Sequence, residues 1–199
     1  MSLEPDLPAE IACFFVALGW LGVGAILLIG YRGSSEAERQ RDPKSAAGFF
    51  LQCVAYALCF AFTRNFFSPW WPMSKAAETI LASVIVLLAI GSVWFCYAAA
   101  RALGKQWALA ARIIEGHELV ARGPFAIVRN PIYLAMLGML LATGLAISQS
   151  WVLPVAIVLY LAGTAIRIRT EENLLRRTFG SNFDEYARRV PSFIPRLRP

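Results

Sequence analysis

The sequence predicts an all-α integral membrane protein with five transmembrane helices. Three observations lead there. Hydrophobic residues make up 58% of the 199-residue chain and mean hydropathy is +0.55, above the roughly half-apolar usage of soluble domains. Long stretches lack any charge. Between them, Lys and Arg alternate from one side to the other in the way that fixes membrane orientation.

The elements follow in order. Ile11 to Tyr31 is free of charge and, at about 1.5 Å per residue, covers a hydrocarbon core of about 30 Å. It lacks the basic leader of a signal peptide, since no Lys or Arg occurs before Arg32, so it is expected to be a retained helix. Its Gly19, Gly22 and Gly24 would permit close helix approach. Ala46 to Thr63 and Thr79 to Ala100 supply the second and third helices. Pro131 to Ile166 is uncharged but interrupted by Ser148, Gln149 and Ser150, which predicts a helix-turn-helix hairpin forming helices four and five.

Of the 19 Lys and Arg residues, 17 fall on one side of this arrangement, leaving only Arg64 and Lys75 on the other. The N-terminus is therefore expected outside, and the C-terminus in the cytoplasm of a bacterial or archaeal inner membrane. The net charge of +6 reads as this topology signal, with some attraction to membrane lipid headgroups. The Arg residues are scattered over loops without a nucleic-acid-binding fold, so no nucleic-acid partner is expected. Cys13, Cys53, Cys59 and Cys96 all lie in apolar spans without a CxxC pair, and with a single His no metal site is expected.

The loop after the third helix is about 30 residues long, a length that in compact proteins signals function or disorder. Leu119, Val120, Phe125, Ile127 and Val128 alternate with charge there, which argues for order, and Gly123-Pro124 supplies a turn. Pro131 suits a first helical position, where the amide has no intrahelical partner. The positive end of helix four is thereby aimed into the loop, where an anionic group would be stabilised. After helix five, Leu174, Leu175 and Phe179 keep helical spacing and Gly180 ends it; Ser181 with Asp184 resembles the capped start of a short helix. Phe183, Tyr186 and Val190 would face inward, folding this tail against the loop to close a cytoplasmic pocket.

Arg167 and Glu171 lie four apart on one helical face, next to Glu172. Two readings stand side by side: a solvated ion pair at a membrane boundary, or a carboxylate for a cationic ligand beside a guanidinium that clamps an anion. His117 has no Ser, Cys or Thr nucleophile placed beside it, which disfavours triad hydrolysis.

The motifs LGKQW, GHELVARGPFAIVRNPIY, RIRTEENLL, FG followed by Tyr186, and VPSFIPRL occur in that order from Leu103 to Pro199. In them the sequence resembles the isoprenylcysteine carboxyl methyltransferase family of integral membrane enzymes, which is related to the phospholipid methyltransferases. The resemblance implies S-adenosyl-L-methionine as methyl donor, yielding S-adenosyl-L-homocysteine without a metal. It divides the chain into a three-helix membrane scaffold over 1–100 and a methyltransferase core over 101–199, within a single structural domain. Carried over by position, the cofactor contacts are His117, Glu118, Leu119, Val120, Phe125, Asn130, Pro131, Ile132, Tyr133 and Glu171. Arg167 stands where the family holds the substrate carboxylate. Asn130 replaces the family's histidine and Phe125 its tyrosine.

The expected reaction is carboxyl methylation of a lipid-linked or isoprenylcysteine-type substrate that enters from the bilayer. The alternatives are N-methylation of a phospholipid amine, with Glu172 as the spare acid, S-methylation of a small thiol, and a non-catalytic membrane scaffold.

Overall fold

The computed structural model describes residues 7–32, 43–64, 70–104 and 119–195, and among these it contains six α-helices and no strand. They are α1 (Leu7–Arg32), α2 (Pro43–Ala61), α3 (Lys75–Leu103), α4 (Pro131–Ile147), α5 (Val152–Phe179) and α6 (Ser181–Arg189). Three of them, α1, α3 and α5, are long and apolar enough to cross a membrane. The apolar helices Ser45–Ala61 and Pro131–Ile147 are shorter. The five apolar segments read from the sequence are thus all helical, but only three have full spanning length. Helix α4 runs from Pro131 to the polar Ser148 turn, the ends the sequence predicted, and this leaves it with 17 residues.

Helix ends follow local chemistry. Ser74 caps α3 by accepting from the Ala77 amide at 3.3 Å, Glu78 sits in the first turn and Arg101 in the last, where each complements the helix dipole. The charged RIRTEENLL segment is not separate from the fifth span. One continuous α5 carries it, and Gly180, at φ 52°, stops the helix and starts α6. Gly180 rather than Ser181 therefore holds the cap position, and no side chain caps α6.

Two apolar cores share α4. On one side Val16 and Val23 of α1, Ile85 and Ala89 of α3, and Met139 and Ala142 of α4 pack together. On the other, Ala55 and Cys59 of α2 meet Leu140 of α4 and Val152, Ala156 and Tyr160 of α5. Met136 touches both. Leu21, Leu87 and Val158 on α1, α3 and α5 instead point outward, an apolar exterior that suits lipid.

Glycine works at specific crossings. A Cβ on Gly22 would lie 3.0 Å from Val93 and one on Gly19 3.1 Å from Met139, whereas Gly24 has nothing within 4 Å and does not serve the close approach expected of it. Backbone meets backbone most closely between α2 and α5. A Cβ on Gly48 would lie 2.7 Å from the Gly163 carbonyl oxygen, and one on Gly163 2.5 Å from that of Gly48.

Arg64 closes the far end of the hairpin. Its guanidinium donates to the carbonyls of Leu145 (2.7 Å), Ala146 (2.9 Å) and Ser148 (2.9 Å) at the end of α4, and Trp70 Nε1 donates to Ser148 as well (2.7 Å). The carbonyls a helix end leaves without partners are thereby satisfied by a cation at the negative pole. Thr63 and Ser148 also form an isolated antiparallel bridge.

Candidate active site

At the other end of α4 the chain brings polar side chains from four elements together. Pro131 is fully buried at the first helical position and Asn130 precedes it as N-cap, but the Asn130 side chain makes no cap hydrogen bond. Its Nδ2 instead donates to the Ser192 carbonyl at 2.9 Å and to Glu172 at 3.3 Å. The N-terminal pole of α4 is thus left without a side-chain cap, which suits an anion.

Tyr133, in the first turn of α4, donates its hydroxyl to Glu171. Arg167 Nη2 stands 3.5 Å from the same carboxylate oxygen, with side-chain exposures of 10% for the arginine and 19% for the acid. The pair is therefore sheltered, and the solvated reading of it fails. The guanidinium lies 5.1 Å from the centre of the Tyr133 ring and 5.5 Å from that of Phe49, so rings from α4 and α2 flank it.

The neighbouring acid belongs to a different network. Glu172 accepts from Arg129 Nε and Nη2, both at 3.0 Å, and from Ser192 Oγ at 2.7 Å. Arg129 also donates to the carbonyls of Ala187 (2.8 Å) and Val190 (2.5 Å), and its amide donates to Pro191 (2.9 Å). Phe183 and Tyr186 are buried, and the Tyr186 hydroxyl donates to the Phe125 carbonyl at 2.6 Å. Burial pushes this phenol up to about 12, with Arg129 pulling the other way. The tail thus folds back on the segment before α4, as the inward positions of Phe183 and Tyr186 predicted. Glu172, paired with Arg129 and Ser192, helps to hold it there.

Of the expected site residues, Arg167, Tyr133 and Glu171 form one cluster. Asn130 is joined to the tail network instead. Ile132 is half-buried in the first turn of α4, Phe125 half-buried in a short 3-10 turn, and Leu119 and Val120 half-buried where the described chain resumes. His117 and Glu118 lie outside the described residues. Gln52, on α2, was not anticipated; Arg167 Nη1 donates to its Oε1 at 3.3 Å. A lone glutamine in an apolar stretch gives no sequence signal of its partner 115 residues away.

The sequence pattern of the phospholipid methyltransferase family matches residues 80–182, just over half of the chain and all of α4 and α5. The chain belongs to that family. It is 38% identical over 101 residues to the nickel-cobalt-cadmium resistance protein NccN of Alcaligenes xylosoxydans xylosoxydans, covering 48% of this chain and 45% of that protein. It is 40% identical over 101 residues to the cobalt-zinc-cadmium resistance protein CzcN of Cupriavidus metallidurans, covering 48% and 44%. It is 35% identical over 85 residues to protein-S-isoprenylcysteine O-methyltransferase B of Arabidopsis thaliana, covering 41% of each. The matches span less than half the length of these curated relatives. Membership of a membrane methyltransferase family implies S-adenosylmethionine. The cluster fits it: an uncapped helix N-terminus suits a carboxylate, and Glu171 beside it suits an ammonium group.

Proposed function

We propose that this protein is an S-adenosylmethionine-dependent membrane methyltransferase acting on a carboxylate of a lipophilic substrate, of the isoprenylcysteine type. The observation that carries the reading is Arg167, only 8% exposed, held beside Glu171 and flanked by two aromatic rings. A guanidinium in such surroundings is a planar two-donor fork for an anion. Glu171 and the first turn of α4 would hold the cofactor, with His117, Glu118, Leu119, Val120 and Phe125 on the loop side.

The bound cofactor supplies an electrophilic methyl group on a sulfonium. A carboxylate acceptor is already ionised near pH 7 and calls for no general base. The work left to the chain is alignment and exclusion of water. Arg167 orients the acceptor oxygen, and the Arg129–Glu172–Ser192 network holds the tail closed over the site. The substrate would reach Arg167 from the bilayer and the cofactor from the cytoplasm, with the N-terminus outside.

The test is methyl transfer from isotopically labelled S-adenosylmethionine. Methyl esters release labelled methanol in base, whereas N-methyl and S-methyl products do not. Base-labile label in the lipid extract, lowered in Arg167→Lys and lowered further in Arg167→Ala with cofactor affinity unchanged, is the expected result. Base-stable label with full turnover in Arg167→Ala would establish an amine or thiol acceptor instead. An absence of saturable S-adenosylmethionine binding would leave the protein a scaffold.

A further inference from the structure

We propose that Gln52 is a positioning residue of the acceptor site, setting the direction in which Arg167 presents its guanidinium. The inference rests on reading Arg167 as the acceptor's clamp.

Gln52 lies on α2, four residues after Gly48, and is 6% exposed. A primary amide inside an apolar bundle is unfavourable unless both of its ends find partners. Here both do, and both partners are on α5. Nε2 donates to Thr164 Oγ1 at 2.9 Å, and Oε1 accepts from Arg167 Nη1 at 3.3 Å. The chemistry fixes the orientation of the amide: turned over, its NH2 would face a guanidinium that can only donate. Thr164 is itself buried, and four residues before it on α5 the Tyr160 hydroxyl donates to the Tyr133 carbonyl at 2.8 Å. Hydrogen bonds therefore tie Arg167 through Gln52 to Thr164, one turn along α5 from the tyrosine that anchors the first turn of α4.

The Gly48–Gly163 crossing makes this reach possible. Side chains on both helices at that level would push α2 away from α5, and Gln52 would no longer span the gap. Phe49, on the same stretch of α2, stacks against the guanidinium. One side of Arg167 is thus built by α2, a helix that lies outside the segment matched by the family pattern. Orientation of an arginine fork matters because two parallel bonds to a carboxylate need both donors in its plane.

The experiment uses the full chain in detergent with S-adenosylhomocysteine bound, and N-acetyl-S-farnesylcysteine as the carboxylate probe. Gln52→Leu should weaken probe binding at least tenfold while S-adenosylhomocysteine affinity stays within twofold. Gln52→Glu should weaken it further, because a second carboxylate competes for Arg167. Thr164→Val, which releases the other end of the amide, should give an intermediate loss that Thr164→Ser restores. In an Arg167→Leu background Gln52→Leu should have no further effect. Unchanged probe affinity in Gln52→Leu, with wild type binding and Arg167→Leu not binding, would overturn the role of Gln52 alone. A wild type that ignores the probe, or an Arg167→Leu that binds it normally, would overturn the clamp reading and this inference with it. A parallel fall in S-adenosylhomocysteine affinity and thermal midpoint in Gln52→Leu would mark Gln52 as a packing residue and overturn its positioning role.

Discussion

Glu171 and Glu172 are adjacent in sequence, yet their substitution should produce opposite signatures. Glu172→Gln removes the charge from a pair whose side chains are 12% and 14% exposed and which meets Arg129 through two donors. Breaking a buried ion pair by altering one partner costs about 3–5 kcal/mol. Glutamine keeps one acceptor, and Arg129 keeps the carbonyls of Ala187 and Val190, so the lower figure of about 3 kcal/mol applies. That corresponds to about a hundredfold increase in local opening of the tail. The Arg129 amide, bonded to the Pro191 carbonyl, reports on it directly by hydrogen exchange, and the exposed Arg188 and Arg189 report through trypsin cleavage. Glu171→Gln should leave both readouts unchanged while weakening S-adenosylmethionine binding far more than Glu172→Gln does. Equal exchange at Arg129 in wild type and Glu172→Gln, or equal cofactor affinity in the two variants, would refute the division of roles.

Three further outcomes are expected. Gly163→Ala should lower stability by about 3 kcal/mol, since its Cβ would meet the Gly48 backbone oxygen at 2.5 Å, while Gly24→Ala, with nothing within 4 Å, should be neutral or stabilising; thermal midpoints in detergent compare them. Tyr186→Phe should cost about 1 kcal/mol by leaving the Phe125 carbonyl unpaired. Because the folded phenol titrates near 12, above its ordinary value near 10, its contribution is complete below about pH 10 and fades only as pH rises toward 12, so stability curves of the two proteins should run parallel from pH 6 to 9. Reporter fusions at the two termini should fall on opposite sides of the membrane, N-terminus outside; both on one side would exclude an odd number of crossings.

The parts of this structure that sequence reveals are those written in local periodicity and chain punctuation. Pro131, the Ser148–Ser150 break and Gly180 mark element ends by their own backbone preferences, and Phe183 and Tyr186 show their inward face by helical spacing. Arg167 with Glu171 is an i, i+4 pair and needs no tertiary information to be noticed. Its shelter is another matter, because the rings and the amide that enclose it come from α2 and α4. The division of labour between Glu171 and Glu172 was also hidden. It depends on Arg129 and Ser192, 43 and 20 residues away, and on how a 100° step around α5 directs two identical side chains to different neighbours. Arg64 stood out in the sequence only as one of two basic residues on the sparse side, whereas its partners are helix-end carbonyls more than 80 residues later.

The shortness of α4 bears on how the candidate site is sheltered. Seventeen helical residues rise about 26 Å, less than a typical hydrocarbon thickness of about 30 Å, and Arg64 pins one end while the Asn130–Pro131 junction fixes the other. The helix cannot lengthen, whereas its neighbours α3 and α5, with 29 and 28 residues, exceed that thickness and fit it by tilting or by running past it. No residue of α4 is exposed, so protein rather than lipid surrounds the short helix and shelters the polar groups around Tyr133 and Arg167.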